Sequence, residues 1–162
     1  MARRILAALL AAVCLLAGCG NSELYPEGMN ISCKDLALTI PGDFADLSAE
    51  ESAKDADFMY GRKTLVLEGL SQRKSDLQGM TLAQYTDRVI KENSLSCIAA
   101  PTGDGYLFTY ERLRDGTPYT YTVATYETDG YFWILQFFGP TASLQENQPE
   151  IDIILESLRK KA

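Results

Sequence analysis

The chain has 162 residues, with 15 Lys and Arg, 22 Asp and Glu and no His, for a formal net charge of −7. A chain this acidic is a poor nucleic-acid binder and is repelled by an anionic lipid surface. The lack of histidine excludes Ser-His-Asp triads, Cys-His dyads and His-based metal sites.

The first element is an apolar run. Arg3 and Arg4 precede it, and every residue from Ile5 to Ala17 is apolar. That is about a dozen residues, the length of a secretory apolar core and short of the roughly 20 that a spanning helix needs. A buried N-terminal helix fits less well, because the run is apolar on all faces and has no cap signal. The run ends in Leu16-Ala17-Gly18-Cys19, which resembles a bacterial lipoprotein leader; the alternative is an ordinary secretory peptide with a chance cysteine. The resemblance implies a signal peptide over residues 1–18, cleaved before Cys19, whose sulfur carries a diacylglyceryl group. Two acyl chains (palmitate or similar) hold a protein stably where one holds it marginally. The expected location is therefore a cell membrane, lipid-anchored on the extracytoplasmic face. Gly20 follows the cysteine in place of Asp, which in that family allows transfer to the outer membrane of a two-membrane cell.

Without the leader, 13 basic residues face 22 acidic ones, a balance that serves solubility. Cys14 leaves with the leader. Cys33 and Cys97 remain, as a disulfide or as two buried free thiols. No CxxC spacing suggests a metal site. Residues 19–30 read as a lipidated tether rich in Gly, Asn, Ser and Pro, and residues 31–162 as a single domain.

Within that domain a strand pattern starts at Ile31, with Leu36, Leu38 and Ile40 alternating with Ala37 and Thr39 before the turn Pro41-Gly42-Asp43. Ser48-Ala49-Glu50-Glu51 has the form of a capping box. Phe58–Tyr60 and Thr64–Ser71 read as strands joined near Gly61. Thr81-Leu82-Ala83-Gln84 is a second capping box, opening a helix with Leu82, Tyr85, Val89 and Ile90 on one face and an Asp87–Lys91 pair on the other. Four strand-like runs follow at 97–101, 106–114, 118–127 and 131–139, broken by Gly103-Asp104-Gly105, Asp115-Gly116 and Asp129-Gly130, which predicts a meander. In the last run Phe132, Ile134 and Phe138 point one way and Tyr131, Trp133, Leu135 and Phe137 the other, so both faces of the sheet must be covered. Pro149 suits the first turn of a C-terminal helix with an Ile151, Ile154, Leu155 and Leu158 stripe, and Arg159, Lys160 and Lys161 suit its end.

The expected class is α+β: an antiparallel sheet of about six or seven strands with helices on both faces, an αβα sandwich. The element order and the motifs Leu38-Thr39-Ile40-Pro41-Gly42, Thr81-Leu82-Ala83-Gln84-Tyr85, Tyr131-Phe132-Trp133-Ile134 and Leu155-Glu156-Ser157-Leu158 resemble the PsbP-like family. That family includes extrinsic photosystem II subunits, a Ran-binding protein and many bacterial lipoproteins. The resemblance implies an interaction module and brings no catalytic residue. The histidines proposed for metal binding in some photosystem members have no counterpart here.

A search for chemistry finds little. Cys33 has no signalled base. Gly103-Asp104-Gly105 does not complete GxGxxG and lies between strands. Asp55-Ala56-Asp57 lacks the Gly and distal Glu of a calcium loop. Glu50 and Glu51 diverge on a helix and make no hydrolase pair. Tyr106, Tyr110, Tyr119, Tyr121, Tyr126 and Tyr131 crowd the meander. They read either as cross-strand packing under a helix or, at Tyr119 and Tyr121, as a surface for sugar, peptide or protein contact, with Thr117, Thr120 and Thr122 adding hydroxyls. The expectation is a non-enzymatic binding module of the cell envelope with no cofactor and no metal, held by membrane lipid through Cys19 and contacting a protein or other envelope partner. The alternative is a small-molecule binding lipoprotein serving a transporter; an enzyme using Tyr or carboxylates is a third reading.

Overall fold

The computed structural model describes residues 27–161; the leader, Cys19 and the tether up to residue 26 lie outside the described residues. In chain order the elements are β1 (Met29–Cys33), β2 (Leu36–Ile40), β3 (Ala45–Asp46), β4 (Phe58–Arg62), β5 (Leu65–Arg73), α1 (Leu82–Glu92), β6 (Ala100–Pro101), β7 (Gly105–Arg114), β8 (Thr117–Glu127), β9 (Tyr131–Pro140), α2 (Thr141–Glu156) and β10 (Arg159–Lys160). No helix among the described residues is long and apolar enough to cross a membrane.

The main sheet has seven strands in the order β3-β4-β5-β9-β8-β7-β6, every pair antiparallel. The predicted meander is its centre. Asp115 and Gly116 both take positive φ, 50° and 80°, the backbone a two-residue hairpin turn needs to match strand twist. β9 lies between β5 and β8, so its apolar load on both faces is buried as expected.

One face carries Trp133, Leu135 and Phe137 with Leu65 and Leu67. It packs against α2 through Leu144, Ile151 and Ile154, and against a second, three-stranded sheet in the order β1-β2-β10 through Leu36, Leu38 and Ile40. The other face carries Phe132, Ile134 and Phe138, and α1 lies on it. There Tyr85 stacks on Phe132 with ring centroids 4.8 Å apart. The predicted capping box forms: the Thr81 hydroxyl accepts from the Gln84 amide at 3.3 Å, and the Gln84 side chain accepts from the Thr81 amide at 2.9 Å.

Several local expectations are corrected. The N-terminal strand pattern is a hairpin turning at Lys34-Asp35, and it builds the second sheet. Gly61 lies inside β4, where a Cβ would stand 2.8 Å from the Leu65 carbonyl oxygen, and the turn falls at Lys63-Thr64. The box at Ser48 does not form; the Ser48 amide donates to Asp46, and a 3₁₀ turn, Glu51–Ala53, starts without a side-chain cap. The surface ion pair on α1 joins Arg88 to Glu92 at 2.7 Å, and 97–101 shortens to Ala100–Pro101.

The last correction concerns α2. Pro149 sits inside the helix, which starts directly after β9 at Thr141. Pro149 is exposed, so its ring meets solvent while the opposite stripe of Leu144, Asn147, Ile151 and Ile154 is buried. That packing outweighs the hydrogen bond the proline removes. Asn147 is in the stripe because its amide donates to the carbonyls of Thr64 and Ser143, each at 3.1 Å, while its oxygen accepts from Arg62. Arg62 also pairs with Asp43 and Glu150. Past the helix, Arg159 and Lys160 pair with Ala37 and Leu36, while the Arg159 guanidinium reaches back to the Glu156 carbonyl at the end of α2 at 2.7 Å, as its place in the sequence suggested. The Ser157 hydroxyl accepts from the Thr39 amide at 2.9 Å and donates to the Ile154 carbonyl.

Candidate functional site

Register builds the tyrosine face row by row. Tyr110, Tyr121, Phe138 and Val66 stand opposite one another on β7, β8, β9 and β5. The next row is Phe108, Val123, Gln136 and Glu68, and the next Tyr106, Thr125, Ile134 and Leu70. The first row is a stack of rings. Tyr110 and Tyr121 are parallel within 1° at 4.8 Å, and Phe138 follows at 5.2 Å. Cations close its ends: the Arg112 guanidinium lies 5.3 Å from the Tyr110 ring, and that of Arg114 lies 5.6 Å from Phe138 and 5.2 Å from Tyr119.

The second row holds two polar groups. Tyr110 donates its hydroxyl to the Gln136 carbonyl oxygen at 2.9 Å, and the Gln136 amide donates to Glu68 Oε2 at 3.0 Å. Above them a groove of about 250 Å³ runs between the end of α1 and the sheet. Leu70, Val89, Leu95 and Ile134 wall it, and Asn93 and Arg112 stand at its rim, joined by a bond from the guanidinium to the Asn93 carbonyl. Burial pushes the Glu68 carboxyl above its ordinary value, and burial pushes the Tyr110 hydroxyl up to about 12. The third row anchors the helix. Thr86 donates to the Leu82 carbonyl at 2.8 Å, so the buried hydroxyl of Thr125 is the donor in their 2.6 Å contact.

Two comparisons found no match: no family model fits the chain, and no curated protein resembles it in sequence. Solved structures do resemble it. The cyanobacterial PsbP (CyanoP) of Synechocystis sp. PCC 6803 matches with a TM-score of 0.50 and 12% identity, over 90% of this chain and 99% of that one. The fold is PsbP-like. A crystal structure from Bacteroides thetaiotaomicron VPI-5482 matches with a TM-score of 0.59 and 14% identity over 84% of this chain, which spans only 49% of that one.

On this PsbP-like fold the sequence-predicted positions fall apart into separate places. Tyr119 and Tyr121 share a face, but Tyr121 is 8% exposed with a ring packed on each side, and Tyr119 is half-buried under Arg114. Both faces of the Tyr121 ring that a sugar would stack on are occupied, so cross-strand packing accounts for Tyr121. Cys33 and Cys97 are free thiols and are not brought together: Cys33 packs with the cluster under α2, Cys97 with the cluster under α1, and the main sheet lies between. Burial pushes both thiols up, away from the reactive thiolate. No group of three or more metal-ligating side chains occurs among the described residues. Cys19 lies outside the described residues.

Glu68, Gln136 and Arg112 are the groove residues that the sequence reading missed. A signal for two of them was present. Gln136 is the polar residue inside the YFWILQFF run, and Glu68 falls between Val66 and Leu70 on one strand face. A polar side chain at a position whose neighbours are buried needs a partner.

The Glu68 environment has a measurable consequence. A glutamate whose folded value is raised binds its proton more readily when folded, so its stabilising contribution is complete below the ordinary value of 4.5 and is lost as pH rises through the folded value. Glu68→Gln keeps the shape and removes the titration. Urea midpoints from pH 4.5 to 8 should show the variant gaining on the parent as pH rises; a difference that stays constant with pH would refute the assignment.

Proposed function

We propose that this chain is a lipid-anchored, extracytoplasmic binding module of the cell envelope that performs no chemistry of its own, with Cys19 carrying the anchor and the groove beside Tyr110, Gln136 and Glu68 making the contact. The observation that carries the reading is the groove. It combines apolar walls with a few convergent polar groups, the usual composition of a binding site, and it sits on the face α1 covers only in part. The Leu-Ala-Gly-Cys sequence supports the anchor, and the PsbP-like fold supports an interaction role by analogy alone.

A photo-crosslinking residue at Leu95, on the groove wall, tests it in intact membranes. The expected result is a discrete adduct that is absent when the same group replaces exposed Lys54. Equal labelling from both positions, or none from Leu95, would count against the groove. Its volume of about 250 Å³ favours a second reading, a small-molecule binding lipoprotein that serves a transporter, since a space of that size holds a small organic molecule.

A further inference from the structure

We infer that the groove binds a small organic ammonium, with the cation on Glu68 and its apolar stem along Leu70, Val89, Leu95 and Ile134. This rests on the small-molecule form of the binding reading above. The direction of the hydrogen bonds carries the argument. Tyr110 donates its one hydroxyl proton to Gln136, and Gln136 donates one of its two amide N–H groups to Glu68 Oε2, so the chain of bonds ends on a carboxylate. Glu68 Oε1 has no hydrogen-bond partner among the described residues. A carboxylate is acceptor-only when ionised. The groove floor therefore presents a negatively charged acceptor, and a cationic donor complements it.

An ammonium supplies three donors and a charge, and it restores the ionised state that burial disfavours at Glu68. A neutral apolar ligand would bury the carboxylate with the Gln136 amide as its one donor, and an anion would be repelled by it. Arg114 and Asp55 act on Glu68 from outside the groove lining with opposite signs, and Arg112 stands at the rim, where it makes one bond to the Asn93 carbonyl and no ion pair among the described residues. Arg112 is placed to repel a second cation and to receive an acidic group at the far end of a ligand. The space of about 250 Å³ takes a stem of a few methylenes.

Calorimetric titration of the full chain with pentylammonium and with hexanoate tests this. Pentylammonium should bind saturably and hexanoate should not, and Glu68→Gln should weaken the amine about tenfold, as the loss of one charge-assisted bond implies. Equal binding of the two probes to the unmodified protein, or an unchanged affinity in the variant, would overturn the assignment. Tighter binding of Nα-acetyl-lysine methylamide than of pentylammonium would give the groove to a partner's lysine and overturn the small-molecule claim. Crosslinking at Leu95 without amine binding would leave the binding face standing and remove only the ammonium.

Discussion

Cys19→Ser should strip the protein of its acyl mass and move it from the detergent phase to the aqueous phase, a change in partition of at least about 100-fold. The magnitude follows from the chemistry. Each buried methylene contributes about 0.8 kcal/mol, and two chains turn marginal attachment into stable attachment. Serine has no sulfur to form the thioether. Nothing else in residues 19–162 compensates, because without the proposed leader they carry 13 basic residues against 22 acidic ones and are repelled by anionic lipid. Intact-mass spectrometry of the native protein is the check. Residues 1–18 still attached, or a bare sulfur at position 19, would remove the anchor and the location built on it.

Trp133→Ala should cost about 3–5 kcal/mol of folding free energy and lower the thermal midpoint by on the order of 10 °C. Trp133 is the single tryptophan of the chain and is 0% exposed. Its ring lies 6.1 Å from Phe58 and 6.2 Å from Tyr131. The Phe58 ring lies across Gly69, where a Cβ would stand 2.2 Å from the ring edge, so this part of the core is closely packed. The cavity therefore persists, and its cost adds to the lost transfer energy.

Trp133 is also a tie between the two sheets. Its indole N–H donates to Asp35 Oδ1 at 3.3 Å, and the Gly130 amide donates to Asp35 Oδ2 at 2.9 Å. Burial opposes ionisation of Asp35, but these donors outweigh it and hold the carboxyl below its ordinary range. A group lowered in this way stabilises the fold above its ordinary value and loses that contribution as pH falls through the folded one. Trp133→Phe keeps most of the volume and loses the N–H, so it should cost about 1–2 kcal/mol near neutral pH, with the deficit shrinking in acid. Circular dichroism melts at pH 7 and pH 3 separate the two terms. A Phe variant as unstable as the Ala variant would mean that the hydrogen bond, not the packing, holds the site.

Alternation, capping and turn chemistry made the meander, the α1 start and the two-sided burial of β9 legible, because each is a local property. The Asp115-Gly116 turn needs only its own backbone, and the Thr81–Gln84 box needs only four residues. What failed was decided by distant partners. Pro149 reads as a helix start until Leu144 and Asn147 find the sheet. The Arg159 side chain does serve the helix end, but the short strand that it forms with Lys160 depends on the edge of β2.

The candidate site divides the same way. By itself the sequence determined the acidic charge, the absence of histidine, the resemblance of residues 16–19 to a lipidation signal and the crowding of tyrosines on consecutive strands. Only the tertiary structure decided that those tyrosines stack on one another, that the two cysteines face opposite sides of the sheet, and that Tyr110, Gln136 and Glu68 meet under one groove. The physical reason is distance along the chain. Glu68 and Gln136 are 68 residues apart, and the pairing of β5 with β9 brings them side by side. No local pattern encodes that pairing.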